Sequence, residues 1–157
     1  MSQLSFIQKD QDLQNWYLFT DGASRGNPGA AGAGIYICKE QEEVVQQGYY
    51  LGTKTNNQAE YLALLLGLLH VQKIMPLTAI VHIRLDSELI VKQITGRYVV
   101  KNPELKILYE QVRKALPKQY TIAHVLRAQN SKADTLANIG VDKKIPVPAD
   151  MLRDIKL

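Results

Sequence analysis

Four acidic residues stand at predicted boundaries of secondary structure, where their side chains can meet at one edge of a sheet. Asp21 and Asp86 each follow an apolar, strand-like run. Glu60 and Asp134 each lie in the first turn of a predicted helix. In open α/β sheets, ligands bind outside the carboxyl ends of the strands. We therefore expect the four carboxylates to converge at that edge.

Converging carboxylates repel one another, and this repulsion raises their pKa values unless a cation joins them. Hard cations with oxygen ligands remove the conflict, and Mg²⁺ or Mn²⁺ suits a site made of carboxylates alone. Two such ions, roughly 3.5–4 Å apart, can hold a phosphate between an attacking water and a leaving oxygen. The sequence contains neither a Cys/His cluster typical of zinc nor a Gly-rich loop ending in Gly-Lys-Ser/Thr.

Each acid taken alone also has an ordinary structural explanation. Asp21 is typical of an Asx-turn, and Asp86 of a helix N-cap. Glu60 lies three residues after Asn57, and Asp134 has the same spacing from a serine, which is the pattern of a capping box. For Glu60 alone the two explanations are about equal, and for the three aspartates the structural one is favoured. It is the set of four that favours a metal site.

The composition fits one folded domain. The chain has 157 residues, 46% of them hydrophobic, and its net charge of +4 suits a polyanionic partner. A single cysteine, Cys38, excludes an intrachain disulfide and indicates a reducing compartment. Residues 1–14 lack a signal-peptide pattern, and the longest apolar run, 61–69, is too short to span a bilayer. We expect a monomeric, cytoplasmic protein that does not bind a membrane.

The hydrophobic pattern predicts three strands, then a helix, then two strand–helix alternations. Short polar connections join the first three strands, as in an antiparallel meander, and glycines in the second indicate that another backbone passes close by. The helix after them is apolar nearly all round, which is typical of a central, buried helix. The predicted strands are 16–21, 32–38, 43–51, 79–85 and 120–125, and the predicted helices are 58–74, 87–95, 103–116 and 131–139.

This order of elements describes an α/β fold. We expect a five-stranded mixed sheet, three antiparallel strands and then two parallel ones, with helices on both faces. The chain divides into an N-terminal arm (1–15), one domain (16–141) and a C-terminal tail (142–157). Two prolines in the tail, Pro146 and Pro148, favour an extended conformation before a short ending.

Motifs in the same order and spacing resemble type 1 ribonuclease H from about residue 17 to residue 139. The likeness is greatest to the shorter bacterial and archaeal forms, which carry Asp-Ser-Glu-Leu and His-Val-x-Arg-x-x-Asn signatures. The motifs here are Thr20-Asp21-Gly22-Ala23-Ser24, Gly26-Asn27-Pro28-Gly29, Thr55-Asn56-Asn57-Gln58-Ala59-Glu60, Asp86-Ser87-Glu88-Leu89, His124 to Asn130, and Ala133-Asp134.

The resemblance implies the ribonuclease H-like fold and an endonuclease that cleaves the RNA strand of RNA–DNA hybrids, leaving 5′-phosphate and 3′-hydroxyl ends. It also implies two Mg²⁺ ions per site when substrate is bound, with Mn²⁺ as a substitute. Asp21 would bridge both ions. Glu60 and Asp86 would complete the site of the leaving-group ion, and Asp134 would hold the ion that activates water.

The resemblance also implies a surface that distinguishes RNA from DNA by its 2′-hydroxyls, for which small neutral amides are suitable partners. Thr55 and Asn56 would in addition hold a phosphate of the DNA strand. Glu88 occupies a position where relatives often carry glutamine, and we expect it to be a secondary contact. The implied substrate-binding residues are Arg25, Gly26, Asn27, Thr55, Asn56, Asn57 and Glu88.

Two departures from the family pattern concern turnover and affinity. Many members carry a histidine, thought to help product release, on the loop before the last acid. Here loop 126–131 has none, and Arg127 is our candidate for that role, with a plain surface arginine as an equal alternative. Only residues 96–101 separate the two middle helices, so the basic protrusion of longer relatives is missing.

Two other functions stay open at this point. One is a catalytically weak module that binds RNA–DNA hybrids, which the missing histidine and protrusion favour and the presence of all four acids opposes. The other is a different nuclease of the same fold, such as an integrase, resolvase or exonuclease. The Gly-Asn-Pro-Gly and Thr-Asn-Asn-x-x-Glu motifs oppose it, because those enzymes do not share them.

Overall fold

The computed structural model describes residues 14–156, and most of the predicted N-terminal arm lies outside them. Three strands, β1 (Asn15–Gly26), β2 (Gly29–Lys39) and β3 (Glu42–Lys54), form an antiparallel meander. Two more, β4 (Ile80–Leu85) and β5 (Tyr120–His124), run parallel to β1 on its other side. The sheet order is β3-β2-β1-β4-β5. The predicted five-stranded mixed sheet is confirmed.

Helices connect the strands and cover the sheet. No helix of the described residues is long and apolar enough to cross a membrane. The helices are α1 (Asn56–Ile74), α2 (Glu88–Ile94), α3 (Pro103–Ala115), α4 (Ser131–Asp142) and α5 (Ala149–Arg153), with a 3₁₀ turn at Arg127–Asn130.

The two faces of the sheet are covered by α1 and α4, which glycines allow to approach closely. A Cβ at Gly22 in β1 would lie 2.1 Å from the carbonyl carbon of Ala59 in α1, and a Cβ at Gly34 in β2 would lie 1.8 Å from the carbonyl oxygen of Ala133 in α4. Gly34 pairs with Asp21, the neighbour of Gly22. Since successive strand residues point to opposite faces, α1 and α4 lie on opposite sides. The predicted close approach to the glycines of β2 is confirmed.

The C-terminal tail was predicted to be extended before a short ending, and the structure shows that a short helix, α5, forms near its end. The amide of Tyr50 in β3 donates to the carbonyl of Ile145 at 2.7 Å, and α5 then forms and buries Met151, which is only 1% exposed. Five residues are too few to show a helical period. Pro148 precedes α5 as its N-cap, and in the sequence that proline indicates a break in structure.

Candidate active site

Asp21 is fixed at the middle of the sheet. It was predicted to end the first strand, but β1 continues to Gly26, and the turn lies at Asn27-Pro28. Parallel pairing of β1 with β4 stops at Thr20, which is opposite Leu85. Asp21 therefore lies one residue beyond the carboxyl end of β4, where ligands are expected in open sheets.

Asp21, Glu60 and Asp86 come together as predicted. One carboxylate oxygen from each lies within 4.8 Å of the other two, an arrangement that could hold a metal ion. Asp86 follows β4 directly, and it does not cap the next helix, because Ser87 accepts the hydrogen bond from Ile90 N at 3.4 Å. The N-cap interpretation of Asp86 is therefore wrong.

Glu60 is the fifth residue of α1 and reaches the site from the second turn, not from the first turn as predicted. The cap of this helix is Thr55, whose Oγ1 accepts from Gln58 N at 3.2 Å, while Gln58 Oε1 accepts from Thr55 N at 2.9 Å. A capping box of Asn57 and Glu60 is thus wrong, because α1 begins earlier than predicted. Glu60 Oε1 instead accepts from Gly22 N at 2.5 Å, which holds the carboxylate beside Asp21.

Asp134 approaches from α4, on the face of the sheet to which Asp21 points. Its side chain lies within hydrogen-bonding reach of Asp21, although it is not part of the tight group of three acids. The start of α4 has no side-chain cap, so the capping interpretation of Asp134 is also wrong. All four acids line one cavity of about 340 Å³.

Asn130 positions this end of α4, and sequence reasoning gave it no role. Its side chain is 1% exposed, and Nδ2 donates to the carbonyl of Thr20 at 2.9 Å. This bond connects the turn before α4 to the residue preceding Asp21. The only signal in the sequence was the place of Asn130 in a motif four residues before Asp134.

Without a bound cation, the carboxylates of this site repel one another. Burial raises the pKa of Asp21 strongly, and the nearby charges of Glu60 and Asp86 raise it further. Burial also raises the pKa of Glu60, although the hydrogen bonds from Asp21 and Gly22 oppose this. A divalent cation with oxygen ligands would favour the ionised forms and remove the repulsion. The donor set therefore fits a hard divalent metal.

Comparison with known proteins identifies the family. The family model described as "Reverse transcriptase-like" matches residues 19–140. The ribonuclease H of Pseudomonas syringae is 34% identical over 143 residues, which cover 80% of this chain and 91% of that protein. The chain belongs to the ribonuclease H family.

Two further relatives agree with this assignment. A bifunctional protein of Mycobacterium tuberculosis is 41% identical over 127 residues, and the match covers 78% of this chain but 34% of that protein. The chain thus spans about a third of the mycobacterial relatives it matches. LC11 ribonuclease H1, solved in complex with an RNA/DNA hybrid, superposes with a TM-score of 0.76 at 37% identity, over 83% of this chain and 97% of that one. The predicted ribonuclease H fold is confirmed.

Four of the seven implied substrate-binding residues of this ribonuclease H chain line two neighbouring cavities. Asn56 lines the acidic cavity. Asn27, Thr55 and Asn57 line a second cavity of about 260 Å³, to which Asn102 also contributes. The two are adjoining, because Asn27 Oδ1 accepts from Asn56 N at 3.1 Å. One amide-rich surface therefore runs from the acids along the start of α1.

Two charged residues of the predicted substrate surface are engaged with protein partners. Arg25 Nη2 lies 2.7 Å from Asp142 Oδ1, so its side chain is directed to the end of α4, and only its backbone follows the predicted surface. Next to it, Gly26 has φ +104°, a backbone conformation that favours glycine. Glu88 Oε1 lies 3.0 Å from Lys92 Nζ.

Arg127 lies at the acidic cavity, and its role there stays a prediction. It begins the 3₁₀ turn and is exposed, yet it lines the same cavity as the four acids. Its positive charge lowers the pKa of Glu60, against the larger effect of burial. Among the described residues, Arg127 is therefore the one basic residue that lines the acidic cavity.

Proposed function

We propose that this chain is an endonuclease that hydrolyses the RNA strand of RNA–DNA hybrids with divalent cations, leaving 5′-phosphate and 3′-hydroxyl ends. The observation that carries the proposal is the convergence of Asp21, Glu60 and Asp86 within 4.8 Å, with Asp134 beside Asp21. Family membership supports it, since the related LC11 enzyme was solved with an RNA/DNA hybrid.

We propose Asp21, Glu60, Asp86 and Asp134 as the ligands of two Mg²⁺ ions, which Mn²⁺ can replace. Asp21 would be the ligand common to both ions, because it is the acid that contacts both Glu60 and Asp134. When bound, the cations supply Lewis-acid stabilisation of charge on the phosphate. The hydrogen bond from Gly22 keeps one oxygen of Glu60 oriented, which leaves the other free to bind a metal.

Substrate recognition in this proposal depends on neutral amides beside the acids. Asn56 is placed to contact the strand that enters the acidic cavity, and Asn27, Thr55 and Asn57 continue the surface away from it. Amide groups both donate and accept hydrogen bonds, so they can bind a 2′-hydroxyl, which is present in RNA and absent from DNA. Arg127 would attract the phosphate that is cut and help the product to leave.

We also propose domain bounds, an oligomeric state and a location for the enzyme. We place the ribonuclease H domain at residues 16–141, with the tail at 142–157 packed on it through Met151. We propose a monomer that acts in the cytoplasm, where the one cysteine of the chain stays reduced.

A side-by-side cleavage assay tests the proposal. Hybrid, double-stranded RNA and double-stranded DNA of one sequence are incubated with the protein in Mg²⁺, in Mn²⁺ and in chelator. We expect the hybrid alone to be cut, in its RNA strand, and only with a metal. Tight hybrid binding without turnover in either metal would support the weak binding module instead. Cleavage of double-stranded DNA in preference to hybrid would support another nuclease of this fold.

A further inference from the structure

A lysine, an acid and an aromatic ring form a cluster at α2, the helix that follows Asp86. Lys92 Nζ lies 3.0 Å from Glu88 Oε1, and it also donates to Tyr98 Oη at 3.3 Å. The same ammonium lies 5.0 Å from the centroid of the Tyr98 ring. The side chain of Lys92 is 28% exposed and that of Glu88 61%. Lys92 is thus held by two partners at an open surface.

The cluster is adjacent to the proposed site of catalysis. Glu88 is the first residue of α2, two positions after Asp86. Lys92 lies one turn further along the same face, and Tyr98 lies in the connection that follows α2. A nucleic acid that passes from the acidic cavity along α2 would meet this cluster next.

An acid at position 88 is unfavourable for such a substrate unless its charge is balanced. The cavity already holds four carboxylates, and Glu88 adds another acid two residues after Asp86. Glu88 Oε1 lies 3.0 Å from the ammonium of Lys92, and without that partner the carboxylate would repel phosphates. The ion pair makes this part of the surface neutral overall.

We propose that Lys92 is an affinity-determining residue for nucleic acid, which neutralises Glu88 and shares its ammonium with a backbone phosphate of the bound hybrid. An ammonium has three N–H donors, and two are occupied, by Glu88 and Tyr98. Exposed ion pairs are weak, so a phosphate can take the third donor or displace Glu88. This inference depends on the proposed function, because it assumes that α2 faces the hybrid.

A double-mutant cycle tests the inference in the full chain. Lys92→Ala, Glu88→Gln and the double variant are compared by KM and kcat for hybrid cleavage at several salt concentrations. We expect Lys92→Ala to raise KM roughly three- to tenfold, and to reduce the slope of log affinity against log salt by about 0.9, one phosphate contact. The double variant should lose less affinity than Lys92→Ala, because no uncompensated acid is left.

The control is Lys118→Ala, at the opposite edge of the sheet, beside a cavity next to the start of β4. We expect its KM and salt slope to equal those of the wild type. An unchanged KM for Lys92→Ala, or an unchanged salt slope, would overturn the inference. The pair of Lys92 with Glu88 would then only stabilise α2. Failure of the wild type to cut hybrid would refute the proposed function. In that case Lys92 can still be tested by the binding of hybrid in chelator, measured by fluorescence anisotropy. The same variants are compared at the same salt concentrations.

Discussion

The main-chain amide of Gly22 donates to Glu60 Oε1 at 2.5 Å, joining the centre of β1 to the second turn of α1. The absence of a side chain at Gly22 makes the contact possible, because a Cβ there would lie 2.3 Å from the backbone nitrogen of Glu60. Gly22 thus supplies the hydrogen-bond donor to Glu60 and, by lacking a Cβ, the space that α1 needs. Asp21, its neighbour, is held beside Glu60 by backbone geometry, so the protein itself brings the two like charges together.

Metal-free protein should lose stability as the pH rises, and Asp21→Asn should remove part of that loss. The pKa of Asp21 is raised in the folded chain, chiefly by burial. The folded chain therefore binds this proton more tightly than the unfolded chain, and stability is lost as pH rises from the ordinary value of about 3.9 toward the raised one. In chelator at pH 8 we expect the free energy of unfolding of Asp21→Asn to exceed that of the wild type by at least about 1.4 kcal/mol, which corresponds to a tenfold change in proton affinity.

Denaturant unfolding at pH 4, 6 and 8 measures this difference, which should shrink toward pH 4. The control is Glu110→Gln, which removes an exposed acid of α3. Its stability should not rise above that of the wild type with increasing pH. Mg²⁺ should stabilise the wild type more than Asp21→Asn, because binding to the folded state adds stability. A difference independent of pH would contradict the raised pKa.

Asn130→Ala should reduce both stability and hydrolysis. The variant loses the bond from Nδ2 to the Thr20 carbonyl and leaves that acceptor buried, which costs about 1–3 kcal/mol. We expect kcat to fall as well, because Asp134 is then less firmly placed against Asp21. Gln129→Ala removes a nearby exposed bond, from Leu126 N to Gln129 Oε1 at 2.9 Å, and should change stability by less than about 0.5 kcal/mol. Wild-type kcat in folded Asn130→Ala would refute the positioning role.

Arg127→Ala should lower kcat with little change in stability. The side chain is exposed, so we expect the free energy of unfolding to change by less than about 0.5 kcal/mol. Loss of the cation at the cavity should reduce kcat roughly tenfold, less than the roughly 10²–10⁴-fold typical of a general acid or base, because Arg127 transfers no proton. Arg127→Lys should retain part of the activity, since it keeps a charge without the fork of donors. Wild-type kinetics in both variants would mean a plain surface arginine.

The sequence predicted the site through residue types at element boundaries. It was sufficient to assign Asp21, Glu60 and Asp86 to one edge, because strand ends and helix starts meet there in this class of sheet. The extension of β1 beyond Asp21 was missed, because Gly22 looks like a turn residue until the helix that needs its missing Cβ is known.

Side-chain partners distant in sequence were the part that could not be predicted. The ion pair of Arg25 with Asp142 joins residues on β1 and α4, and no local pattern marks it. The contact of Asn130 with Thr20 is likewise tertiary, and it spans 110 residues. The cap at Thr55 was local but ambiguous, because two asparagines follow it and each is also a good N-cap residue.

Strand-specific product mapping with Asp21→Asn tests the central claim most directly. A hybrid with different labels on its RNA and DNA strands is incubated with wild type or variant in Mg²⁺, in Mn²⁺ and in chelator. We predict internal cuts in RNA alone, with 5′-phosphate and 3′-hydroxyl ends, by the wild type with metal, and none by Asp21→Asn or in chelator. Equal cleavage by Asp21→Asn, or no cleavage by clean wild-type protein in either metal, would contradict hydrolysis at the four-carboxylate site.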